Sequence, residues 1–91
     1  MKNRNLSLIL TNHWFDEILS GRKKYEYRLI TPYWVKKLSG KSFQTITFNR
    51  GYTSTKAVFN CGKIELTTIK HDFFGNEPVA VFQIEIKDRL E

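Results

Sequence analysis

The apolar residues of this chain keep two different periods, and the order in which those periods alternate constrains its fold more than any other feature. Leu6-Ser7-Leu8-Ile9-Leu10 reads as a short strand, after which Trp14, Phe15, Ile18 and Leu19 recur at helical spacing behind Asn12, a residue placed to cap the helix. Gly21 supplies the helix stop. From Lys23 to Leu29 the period returns to two, with Tyr25, Tyr27 and Leu29 on the side expected to face the core and Lys24, Glu26 and Arg28 on the other. Thr31-Pro32 then opens a second helix, a capping hydroxyl followed by proline at the first helical position, which runs from Tyr33 to Leu38 and ends at Ser39-Gly40.

Beyond that point the period stays at two. Thr45-Ile46-Thr47-Phe48 alternates cleanly, Gly51 to Thr55 is a loop, and Lys56 to Ile69 is a long β stretch with Gly62 as a bulge or bend. A loop around Asp72-Phe73-Phe74-Gly75-Asn76-Glu77-Pro78 precedes a last strand, Val79 to Lys87. Strands dominate and both helices fall between the early strands. The expected fold is therefore α+β: a small mixed barrel or strongly curved sheet of about five to six strands, with two short helices plugging one end.

At 91 residues without repeats or a linker-like tract, a single domain over 1–91 is expected. Fifteen Lys+Arg against nine Asp+Glu give a net charge of +6, which favours an anionic partner such as nucleic acid. Charge alone does not name that partner. Cys61, the single cysteine, excludes an internal disulfide, and with only His13 and His71 beside it no zinc cluster can be assembled; neither metal nor cofactor is expected. The basic start, Met1-Lys2-Asn3-Arg4-Asn5, leads into an apolar run too short for a signal-peptide core or a membrane span, so a soluble cytoplasmic protein with no membrane partner is expected.

Three constellations can carry chemistry. In the first, Gly21-Arg22-Lys23-Lys24-Tyr25-Glu26-Tyr27-Arg28, the side chains of Glu26 and Arg28 leave one strand face about 7 Å apart, near enough to meet. By strict alternation Lys23 points to the Tyr25 side, so a three-group site requires the glycine turn to redirect it. The alternative is a solvated ladder of Lys24, Glu26 and Arg28. The second, Asn49-Arg50-Gly51-Tyr52, offers an arginine for phosphate and a tyrosine for stacking, although a tight hairpin explains Asn49 and Gly51 equally well. The third is basic, with Lys36, Lys37 and Lys41, and Lys56 across the loop; such point charges position a phosphate backbone without reading sequence. His13 reads as a surface or packing residue, His71-Asp72 as a turn, Cys61 as an inert buried thiol, and Trp14 and Trp34 as core.

The octet from Gly21 to Arg28 fits the G-x-K-x-x-E-x-R signature of ASCH domains, which are related to PUA domains. The strand and helix before it, the helix Thr31-Pro32-Tyr33-Trp34-Val35-Lys36-Lys37-Leu38 and the segment Ile46-Thr47-Phe48-Asn49-Arg50-Gly51-Tyr52 also resemble small stand-alone prokaryotic and phage members; the last third is similar mainly in strand pattern. The resemblance implies a PUA-like β-barrel with a cleft at the motif and RNA or a nucleoside as ligand. Some similar proteins are N4-acetylcytidine amidohydrolases that use a lysine, a threonine and a glutamate, and others are ribonucleases. Their lysine corresponds to Lys23, but Glu26 stands where the threonine belongs, and the acidic residue of their C-terminal helical insertion finds no counterpart in this shorter chain.

The leading expectation is an RNA- or nucleotide-binding module. Lys23, Arg28 and Arg50 hold phosphate, Glu26 accepts hydrogen bonds from a base or ribose, Tyr52 stacks, and Arg22, Lys24, Lys36 and Lys37 extend the basic surface. One alternative is a small hydrolase of RNA or of an acylated nucleoside, with Lys23 stabilising developing negative charge and Glu26 as general base. The other is a protein-interaction module that presents Lys36 and Lys37 to an acidic partner. The residues leave the oligomeric state open.

Overall fold

The structure, a computed structural model, describes residues 4–70 and 75–90. The expectations for Met1 to Asn3, for His71-Asp72 and for the loop residues Phe73 and Phe74 lie outside the described residues. In chain order the elements are β1 (Asn5–Leu10), α1 (Asn12–Leu19), β2 (Tyr25–Leu29), α2 (Pro32–Leu38), β3 (Thr45–Arg50), β4 (Lys56–Ile69) and β5 (Val79–Arg89).

Alternation buries one row of each strand. Leu6, Leu8 and Leu10 of β1 pack with Ile46 and Phe48 of β3, Ala57 and Phe59 of β4, and Phe82 and Ile84 of β5; Phe15 and Ile18 of α1 and Leu38 of α2 complete the core. Phe48 and Phe59 meet edge to face at 5.8 Å between ring centroids, the favoured arrangement for two quadrupoles. At the open end of β1, the Asn5 side-chain oxygen accepts from the hydroxyls of Thr45 and Thr47, both at 2.9 Å, and so pins the parallel β1–β3 register.

The strands form one mixed sheet in the order β1-β3-β4-β5-β2, with β1–β3 parallel and the other pairs antiparallel. The sheet does not close into the barrel that the family resemblance implies, because β1 and β2 stand at its two edges and make no ladder with one another. Gly62 produces the expected bend: the β4–β5 register shifts on both sides of Cys61, and a Cβ at position 62 would collide with the carboxylate and Cβ of Glu85. Cys61 is half-buried against the core, and burial pushes its thiol pKa up.

The start of α2 agrees with the sequence reading, whereas α1 begins one residue earlier than that reading has it. Thr11, not Asn12, is the N-cap of α1 and its side chain makes no capping bond; Asn12 is already helical, and the Phe15 amide closes the first turn on the Thr11 carbonyl at 3.0 Å. Pro32 is the first residue of α2, and the Thr31 hydroxyl accepts from the Trp34 amide at 3.3 Å. Among the described residues, no helix is long and apolar enough to cross a membrane.

Candidate functional site

The turn that ends α1 decides where the signature residues go. Gly21 takes φ +82°, a left-handed conformation, and its amide bonds back to the Ile18 carbonyl at 3.1 Å. The Lys23 amide then returns to the Glu17 carbonyl at 3.2 Å, and the Ser20 hydroxyl donates to that same carbonyl at 2.8 Å. Outside the turn the Arg22 guanidinium grips the Glu17 carboxylate with contacts of 2.7 to 3.2 Å. That hydrogen-bonded ion pair holds the Glu17 carboxyl below its usual range and raises Arg22 further.

Lys23 leaves this turn before β2 begins, so strand alternation does not govern it. Its ammonium donates to the Tyr25 carbonyl at 2.7 Å and lies 3.2 Å from Oε1 of Glu26. It also stands 5.2 Å from the centroid of the Trp14 ring and 5.1 Å from that of Tyr27, within cation–π range of both. Oε2 of Glu26 accepts from Arg28 at 2.5 Å, and the Arg28 guanidinium lies 5.0 Å from the Trp34 ring centroid. The condition set by the sequence, that the glycine turn redirect Lys23, is met: Lys23, Glu26 and Arg28 converge.

One expectation is reversed. The tyrosine side of β2 is not its core face: Tyr25 and Leu29 are exposed, whereas Glu26 is only 6% exposed. Because β2 is an edge strand at the end of the core, burying Glu26 between two cations leaves Tyr25 and Leu29 outside. The solvated-ladder alternative fails for the same reason, since Lys24 alone of its three members is exposed. Nε of Arg28 is buried and finds no hydrogen-bond partner among the described residues.

These residues floor a solvent-open cleft of about 660 Å³. It runs from β1 (Ile9, Leu10) past Thr11, Trp14 and Glu17 of the first connection, over Arg22 and Lys23 to Glu26, Tyr27 and Arg28, with Ile69 and Lys70 at the far end of β4. Four cations (Arg22, Lys23, Arg28, Lys70) against two carboxylates (Glu17, Glu26) leave it a formal charge of +2. The cleft therefore occupies the seam between the two sheet edges. Burial raises the pKa of the Tyr27 phenol, with a smaller contribution from Tyr25.

The other candidates do not line this cleft. Arg50 pairs instead with Asp16 at 3.3 Å, and its amide and carbonyl, bonded to Thr55 and Thr53, belong to the tight connection between β3 and β4. Tyr52, at 95% exposure, projects from that connection and does not reach the cleft. Lys36 and Lys37 lie on α2, where Lys37 faces the Tyr33 ring and the Lys36 carbonyl accepts from Lys41. Lys24 opens onto a smaller depression with Lys87 and Asp88.

Sequence pattern also passed over residues that the cleft uses. Trp14, read as core, is 38% exposed on the cleft wall, while Trp34 does pack against the core. Glu17 reaches the cleft through the turn that ties it to Arg22 and Lys23, and Ile69 and Lys70, at the end of β4, carry no local signal because they are far from the motif in sequence. His13 is exposed and packs edge-on against Trp14. Among the described residues no group of three or more His, Cys, Asp or Glu is placed to hold a metal ion. Compared with known protein families and with curated proteins, the sequence matches no family model and no curated protein.

Proposed function

We propose that the chain is an ASCH-type domain that binds RNA or a nucleotide in the cleft between β1 and β2. The observation that carries this reading is the arrangement of Lys23 and Arg28 around one buried carboxylate at the floor of a positively charged, aromatic-walled cleft. A volume near 660 Å³ suits one nucleotide-sized ligand, the excess of cations suits its phosphate, and Trp14 and Tyr27 supply flat apolar surface for a base.

The roles differ from those suggested by sequence. Both carboxylate oxygens of Glu26 are engaged by cations, so Glu26 orients Lys23 and Arg28 and does not itself read the base. That engagement favours a static clamp over a general base, because a base needs an oxygen free for the proton it abstracts. Arg50 and Tyr52 lie outside the set of contacts.

The test is titration of single-stranded RNA oligomers and nucleoside monophosphates at low salt, with Lys23→Ala beside the native protein. Salt-sensitive binding that Lys23→Ala weakens strongly supports the reading. Absence of binding, or binding indifferent to that substitution, overturns it. Turnover of RNA or of N4-acetylcytidine that is lost in both Lys23→Ala and Glu26→Gln would favour the hydrolase instead.

A further inference from the structure

The backbone of β2 offers the cleft a recognition edge that no side chain supplies. The β2–β5 ladder pairs residues whose numbers run in opposite directions (Tyr25 with Glu85, Tyr27 with Gln83, Leu29 with Val81), and the Ile86 amide donates to the Lys24 carbonyl at 2.9 Å. In an antiparallel ladder, hydrogen-bonded pairs alternate with non-bonded ones. Lys24, Glu26 and Arg28 therefore turn their main-chain groups toward β5, and Tyr25, Tyr27 and Leu29 turn theirs toward the free edge.

Two of the three outward carbonyls are already taken. That of Tyr25 accepts from the Lys23 ammonium at 2.7 Å, and that of Leu29 accepts from the Thr31 amide at 3.0 Å. Among the described residues, nothing bonds to the N–H and C=O of Tyr27, which lines the cleft midway between Glu26 and Arg28. On an edge strand beside the open cleft, this donor and acceptor are available to a ligand in place of water.

We infer that the main-chain N–H and C=O of Tyr27 pair with the Watson–Crick edge of one unpaired nucleobase held in the cleft. This rests on the reading of the cleft as a nucleotide site. Each base presents an adjacent donor and acceptor on that edge only when it is unpaired, so the ligand is a free nucleotide, a strand end or a single-stranded segment, and a duplex is refused. An added peptide strand needs both groups on successive alternate residues, and the capping of the Tyr25 and Leu29 carbonyls denies it the flanking acceptors. The charge of +2 and the lysine beside Tyr25 suit the phosphate that accompanies a base.

The experiment follows the Tyr27 amide by two-dimensional ¹⁵N NMR in the full chain. Uridine, cytidine, adenosine and guanosine 5′-monophosphates and a short single-stranded RNA are added in turn, with the same RNA as a duplex. The expected result is a downfield shift and slowed exchange of the Tyr27 amide with the ligand that binds. Methylation of that ligand's ring nitrogen on the Watson–Crick edge is expected to weaken binding about tenfold or more, as for one lost buried hydrogen bond. Lys23-dependent binding that leaves the Tyr27 amide unmoved and tolerates the methyl group would overturn this inference while sparing the nucleotide site. No binding of any nucleotide or RNA at low salt would overturn both. A shift produced by an extended acidic peptide and by no nucleotide would also overturn it.

Discussion

The ammonium of Lys23 stands 3.2 Å from Oε1 of Glu26, although regular alternation from one residue to the other would set them on opposite faces of a strand. The contact exists because Lys23 belongs to the turn after α1 and not to β2, and because Gly21 at φ +82° lets that turn fold back on the helix end. Glu26 then lies between two cations, its side chain only 8% exposed.

Removing that carboxylate charge leaves two cations facing one another in a half-buried site. Glu26→Gln is expected to lower folding stability by about 3 kcal/mol, the usual cost of breaking a buried ion pair from one side. Urea unfolding followed by fluorescence measures it, and a change below ~0.5 kcal/mol would show that the cations rearrange into solvent at little cost.

Gly62 is required by its neighbour across the ladder and not by its own backbone angle. Gly62→Ala forces a methyl group against the Glu85 side chain at the bend between Cys61 and Ile64 and is expected to destabilise by about 2 kcal/mol, typical of overpacking. Thermal unfolding monitored by circular dichroism reads this directly; unchanged stability would mean that the bend yields.

Hydrogen bonding to Arg22 depresses the Glu17 carboxyl pKa. A carboxyl with a lowered folded-state pKa contributes stability above its unfolded pKa and loses that contribution as pH falls through the folded value. The pair is therefore expected to hold at neutral pH and to fail only in acid, from roughly pH 5 downward. Titration of the Glu17 side-chain carbon by NMR should give a midpoint below the ordinary carboxylate range, and Arg22→Ala should return it there.

Salt dependence separates cleft cations from the rest of the basic surface. Lys23→Ala is expected to reduce the slope of log affinity against log salt for single-stranded RNA by about 0.7, the value for one lost phosphate contact. Arg50→Ala, whose guanidinium already faces Asp16, is expected to leave both slope and affinity for a single nucleotide unchanged. Equal effects of the two substitutions in an isothermal titration would place the ligand outside the cleft.

Much of the chain could be read before any coordinates. Period-two runs gave five strands close to their observed bounds, Thr31-Pro32 marked the start of α2 with its capping bond, and Gly62 marked the bend in β4. Such features are local: a proline, a glycine or an alternating run acts on its own few residues, so its signal survives in one dimension. The octet from Gly21 to Arg28 likewise named the three groups that meet at the cleft floor.

The inverted face of β2 was not legible, because alternation separates two faces without saying which is buried. On an interior strand the aromatic face would have won; on an edge strand, a carboxylate satisfied by two cations is buried and Tyr25 and Leu29 face outward. Trp14 and Glu17 join the site through the turn that folds Arg22 and Lys23 back on α1, and Ile69 and Lys70 join it only because the sheet brings the end of β4 to the same cleft. Arg50 and Tyr52 stay outside it, Arg50 paired with Asp16 and Tyr52 exposed on the β3–β4 connection. The sequence by itself determined the elements and their punctuation, set by interactions within a few residues, and it placed Lys23, Glu26 and Arg28 in one short segment; that the Gly21 turn brings Lys23 to Glu26 only the structure decided. Tertiary structure alone decided which face of β2 is buried, which aromatic walls the cleft and which backbone groups remain unpaired, since each depends on residues that meet only after the sheet has formed.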